Sequence, residues 1–124
     1  SASFADITGM SVAITPSATS SKILVLYDIG VSSTDTGRSS RIRLLRDSTE
    51  LGFIADLIGY TGASNYNTNS ASTSFLDTPS STSALNYKTQ FANLGGGGTI
   101  DVQADSSSST ERGRGSITLM EIAG

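Results

Sequence analysis

The chain has 124 residues, enough for one domain with a core that needs no metal or disulfide to hold it, and it contains neither cysteine nor histidine. Disulfides, thiol chemistry and thiolate or imidazole metal sites are thereby excluded. Asp and Glu number 11 against 8 Lys and Arg, a net charge of −3, which argues against a general nucleic-acid binder because that role needs a basic surface.

Hydrophobic residues make up 36% of the chain and charged residues only 15%, too few charges to oppose collapse. The remaining polarity comes mainly from Ser and Thr. Thr fits a pleated surface, while Ser and Asp bond to nearby backbone and favour turns over helix. With 13 Gly and 2 Pro as punctuation, the composition predicts an all-β domain over residues 1–124 with no internal boundary. The longest apolar run, ILVLY, has strand rather than membrane length, so no membrane insertion is expected. The stretch opens at Ser1 with no initiator Met and no signal-peptide pattern. It is expected to be the C-terminal part of a longer chain, with processing as the alternative.

In chain order, SFADITG and MSVAIT read as two strand segments separated at Gly9, with Met10, Val12 and Ile14 on one face. PSATSS is a turn. KILVLYDIGV is apolar on both faces and predicts a central strand covered on both sides. RSSRIRLLRD alternates until Leu45 breaks the pattern, and DSTELG follows as a short hairpin. LGFIADLIGY fits a helical face and a strand, and its flanking glycines and short length favour strand. Residues 61–69 read as a loop. STSFLD and ALNYKTQFA are expected to pair around TPSSTS, with Leu85, Tyr87, Thr89 and Phe91 on one face. GGGG is a turn, TIDVQA a short strand, DSSSSTERGRG a loop, and SITLMEI a final strand. Nine or ten short strands and no helix result.

No motif announces a reaction. DTG at 35–37 is the tripeptide of aspartic proteases, but that chemistry needs a second carboxylate sharing a proton. Ser and Thr precede it where an apolar strand should stand, so it reads as a turn. GGGG lacks the Lys-Ser/Thr that a phosphate loop requires, and one RGRG in an acidic domain is a weak RNA signal. The acids are scattered without Ca²⁺-loop spacing. No catalytic residue, metal site or cofactor is therefore expected. Arg41 and Arg43 stand at i and i+2, so a strand projects both from one face. They serve either local ion pairs, to Asp47 or Glu50 for instance, or a subunit or anionic-glycan surface.

The stretches DITGMSVAITPSATSSKILVL, RIRLLRDST, FLDTPSSTSALNYKTQF and the closing SITLMEIAG resemble a C-terminal domain of bacteriophage tail-fibre and virion-associated proteins. The resemblance is to marine and cyanobacterial phages especially, and it covers most of the chain outside about residues 51–72. Its motifs are structural rather than catalytic. It implies a β-sandwich of jelly-roll type, displayed as a homotrimer on the virion alongside other virion proteins. The expected role is a non-enzymatic fibre or spike tip that contacts a host-surface glycan, with a capsid decoration or cement protein as the alternative. Sugar contact would fall on the polar loop: Tyr60 and Tyr66 offer flat rings, and Asn65, Asn67 and Asn69 offer amides that both donate and accept.

Overall fold

A computed structural model describes residues 3–33, 36–58, 60, 62, 67–95, 100–102 and 115–124. Among them are eight strands and no helix: β1 (Ala5–Ile14), β2 (Lys22–Ser33), β3 (Ser39–Arg46), β4 (Thr49–Ile58), β5 (Asn67–Asp77), β6 (Leu85–Leu94), β7 (Ile100–Val102) and β8 (Ser116–Ile122). They form two antiparallel sheets. One, the arginine sheet, has the order β1-β6-β3-β4. In the other, the β2 sheet, β5 lies on one side of β2 while β7 and β8 share the opposite side. The pairs are nested: β1 with β6, β2 with β5, β3 with β4. At the margins of the sandwich β1 approaches β8 and β4 approaches β5.

β2 organises the core. Its odd positions, Ile23, Val25, Tyr27, Ile29 and Val31, are all buried, as period-two alternation requires of one face. They meet Met10, Ile42, Leu44, Leu85 and Tyr87 in two neighbouring clusters, bridged by partly buried Ile54 and Ile117. Each such side chain contributes about 1.5–3 kcal/mol by leaving water. β2 is central, as its composition predicts, but its outer face is covered only in part: Ser32 near its end is buried. Leu26 on the same face stays exposed.

β7 and β8 are two ends of one line. Ile100–Val102 pairs with Ser33–Val31, and Ser116–Ile122 with Asp28–Lys22, both on the side of β2 opposite β5. The last strand thus completes the β2 sheet. Ile117 and Leu119 face the core, and the Glu121 carboxylate accepts hydrogen bonds from the backbone N–H (2.7 Å) and hydroxyl (2.6 Å) of Ser17. Those bonds hold its carboxyl below the usual range.

Three expectations need correction. The two segments around Gly9 are one strand: Gly9 takes φ 80° at a bulge where the β1–β6 register shifts, which lets Ile7 and Met10 both turn inward. β5 and β6 do not pair with each other; β5 joins β2, and β6 lies between β1 and β3. The connection after Asp77 crosses between sheets, and its Ser, Thr and Pro residues would suit a hairpin equally well. The loop read at 61–69 ends sooner, because β5 begins at Asn67 and pairs residue by residue with β2.

Gly9→Ala should cost about 1–2 kcal/mol, since a side chain at positive φ strains the backbone. Nothing lies within 4 Å of a Cβ there, so the cost is conformational rather than steric. Urea unfolding checks this, and wild-type stability in Gly9→Ala would show that the bulge relaxes freely.

The sheet edges differ. β1 is broken by its bulge and β4 by three register irregularities against β3. β5 pairs with β2 over all 11 residues without a shift. Bulges and breaks blunt an edge against further pairing. β5 has neither.

Candidate functional site

The alternation of β3 sends Ile42 and Leu44 into the core and Arg41 and Arg43 outward, onto the exposed face of the arginine sheet. The register then fixes their neighbours. Gln90 on β6 lies opposite Arg43, Asp6 on β1 lies opposite Gln90, and Phe53 on β4 flanks Arg43 on the other side.

Arg41 grips Asp56 in forked geometry, Nε to Oδ1 and Nη2 to Oδ2, both 2.9 Å. Arg43 donates to Gln90 Oε1 through Nε (2.9 Å) and Nη2 (2.6 Å), and to Glu50 Oε2 through Nη1 (2.8 Å). Asp6 accepts from Gln90 Nε2 at 2.6 Å and Lys88 Nζ at 3.1 Å. The guanidinium of Arg41 lies 4.9 Å from the ring centre of Phe53, that of Arg43 3.9 Å from Phe4, and the two rings stack at 6.5 Å. Cation–π attraction and stacking therefore order the side chains the salt bridges already hold.

The cluster is internally neutral, with Arg41, Arg43 and Lys88 against Asp6, Glu50 and Asp56. The hydrogen bonds from Arg41 hold the Asp56 carboxyl below its usual range, and Asp56 in turn raises Arg41. Gln90 first, then Lys88, lowers Asp6. An anionic ligand would have to displace these carboxylates, so the geometry favours the reading of Arg41 and Arg43 as local ion pairs. What remains for a partner is a sheet face carrying the half-exposed ring of Phe53 (52%) among guanidinium, amide and carboxylate groups.

No protein-family model, no curated protein and no solved structure matches this chain. The site therefore rests on its own geometry.

Tyr60, just beyond β4, is exposed, and so is Leu57 within it, at φ 55°. Asn69 lies exposed on β5. Asn65 and Tyr66 lie outside the described residues, as does the side chain of Asn67. A small cleft of about 90 Å³ opens where β4 passes β5, lined by Leu44, Leu51, Gly52, Phe53, Ile54, Thr73 and Phe75. Small-molecule sites generally occupy roughly 300 Å³ or more. Among the described residues no three acids converge as metal ligands.

The sequence reading found Arg41, Arg43 and the Glu50 ion pair but missed Asp6, Asp56, Gln90 and the two phenylalanines. Phe4 and Asp6 stand 35 or more positions before the arginines in the chain. Only sheet order brings them together.

Proposed function

We propose that the chain is a non-enzymatic structural domain of a bacteriophage virion, the distal domain of a fibre or spike that contacts a glycan on the host surface. The resemblance described above motivates the reading. The observation that carries it is the platform of Phe53, Arg41, Asp56, Arg43 and Gln90: a ring lying among paired donors and acceptors on a sheet face. An aromatic face stacks on the apolar side of a sugar ring, and neighbouring amides and charges meet its hydroxyls. The nested strand pairing supports a jelly-roll reading of the sandwich, and the exposed leucines of the β2 sheet support assembly into a homotrimer. That apolar face also favours a second reading, a capsid decoration protein that buries it against other virion subunits.

Adsorption tests the leading reading. Phage particles carrying Phe53→Ala and Tyr60→Ala should bind host cells several-fold less well, while the purified domain melts within a few degrees of wild type. Unchanged adsorption would remove this end of the arginine sheet from recognition. Host polysaccharide incubated with the domain should keep its length, and shortened chains would overturn the non-enzymatic assignment.

A further inference from the structure

The outer face of the β2 sheet carries an apolar patch flanked by polar rows. Register places Leu76, Leu24 and Met120 in one row across β5, β2 and β8, with Ser74, Leu26 and Thr118 in the next. Ile122 lies beside Lys22 at one end, and Ser72, Asp28 and Ser116 form the row at the other. Leu26, Leu76, Met120 and Ile122 are between 39% and 51% exposed. Three strands about 4.8 Å apart, each spanning seven residues at about 3.4 Å, make a footprint of roughly 350 Å². The apolar residues occupy part of that footprint, and the largest apolar patch on a monomer is often functional.

We infer that this face is where copies of the chain meet, the Lys22 end of one against the Asp28 end of the next. The inference rests on the homotrimeric reading above and assigns it a surface. Three observations select a second copy over another occupant. First, the charges in these rows are one of each sign, Lys22 and Asp28, about 20 Å apart along β2. Among the described residues no acid forms a salt bridge with Lys22, and no cation forms one with Asp28, which accepts from the Ser72 hydroxyl at 2.7 Å. Head-to-tail contact brings the opposite charges together, whereas a strongly acidic or basic partner would repel one of them. Second, leucine, isoleucine and methionine offer no hydrogen bond to a sugar, which sets this face apart from the Phe53 platform. Third, the face is bordered by β5, whose register with β2 is unbroken, so no bulge at that margin bends the sheet away from a facing copy. The apolar rows provide an interface centre, and the flanking Ser70, Ser72 and Ser74 provide a rim, toward the roughly 800 Å² per partner of a stable contact.

Sedimentation at micromolar concentration tests the assignment on wild type, Leu26→Asp, Lys22→Glu and Lys22→Glu/Asp28→Lys, with thermal melting to confirm that each is folded. The wild type should be a trimer and Leu26→Asp a monomer. Lys22→Glu should dissociate at concentrations at least tenfold higher than wild type, and the double charge swap should restore association. A wild-type trimer that Leu26→Asp leaves intact would move the interface elsewhere while keeping the trimer. A dimer dissociated by Leu26→Asp would keep the face and discard threefold assembly. A folded wild-type monomer would overturn both, and a double swap no tighter than Lys22→Glu would overturn the head-to-tail arrangement.

Discussion

Asp77→Ala is expected to destabilise the domain by about 3 kcal/mol, one of the two largest effects anticipated here. Asp77 ends β5 and is almost fully buried. Its Oδ2 accepts from the Tyr87 hydroxyl and from Arg46 Nη1, both at 2.6 Å, so one carboxylate joins β5 of the β2 sheet to β3 and β6 of the arginine sheet. Arg46 reaches it because Arg46 lies opposite Tyr87 and follows a core-facing position past the irregularity at Leu45. Burial alone would lower the Arg46 pKa, but the hydrogen bond and charge of Asp77 outweigh it and leave it raised. Removing the carboxylate strands a guanidinium and a buried phenol together. Arg46 keeps some exposure and can regain water, which places the expectation at the lower end of the usual range for a broken buried pair. Tyr87→Phe alone should cost about 1 kcal/mol, and the two losses should fall short of additivity because they share one hydrogen bond. Urea unfolding of both single variants and the double variant closes the cycle. A loss below about 1 kcal/mol for Asp77→Ala would mean the network is already well solvated.

The Asp77 network also shows what the sequence made legible. The alternation of Leu85, Tyr87, Thr89 and Phe91 identified the inner face of β6, and the break at Leu45 marked a real irregularity. Strongly periodic strands could be read because burial on one face imposes a period of two. The nearness of Asp77 to Arg46 could not be read, since both depend on which sheet each strand joins. Turn residues signal that the chain bends without signalling whether it returns beside itself or crosses the sandwich. The same limit explains β5. Its Asn67, Asn69 and Ser70 look like loop residues, yet pairing with β2 draws them into a strand, tertiary context overriding a weak propensity. At the platform, Arg41 and Arg43 declared their common face through i, i+2 spacing. Phe53 did not declare its role, because it sits in a stretch whose periodicity fits helix and strand alike.

The two sheets divide the work implied by the proposed function. The outer face of the arginine sheet satisfies its charges internally and presents polar groups to water. The outer face of the β2 sheet leaves apolar side chains uncovered. A sandwich with one such face in contact with its own copies would turn the other toward solvent and host. Recognition and assembly would then be separable by mutation: changes at Phe53 should spare oligomerisation, and Leu26→Asp should leave the platform geometry intact.

The second large effect appears at alkaline pH. Tyr27 is buried beneath β6, where its hydroxyl shares a hydrogen bond of 2.9 Å with the fully buried Thr89. Burial pushes the phenol up to about 12 from an ordinary value of 10.0, partly offset by the Thr89 bond. Tyr87 moves in the same direction, through burial and then through the Asp77 carboxylate facing it. Between pH 10 and 12 the unfolded chain releases a proton from Tyr27 that the folded chain retains. The stability this neutral phenol confers is complete below pH 10 and falls as pH rises toward 12, at about 1.4 kcal/mol per unit, or about 2–3 kcal/mol in all. Tyr87 steepens the decline. Tyr27→Phe combined with Thr89→Val removes the titrating phenol and its partner together, so no buried hydroxyl is left alone and neutral-pH stability should change by about 1 kcal/mol or less. Unfolding free energies measured from pH 8 to 12 should therefore fall less steeply for the double variant than for wild type, with Tyr87 supplying the remaining slope in both. Identical slopes would show that Tyr27 ionises in the folded protein as easily as in water.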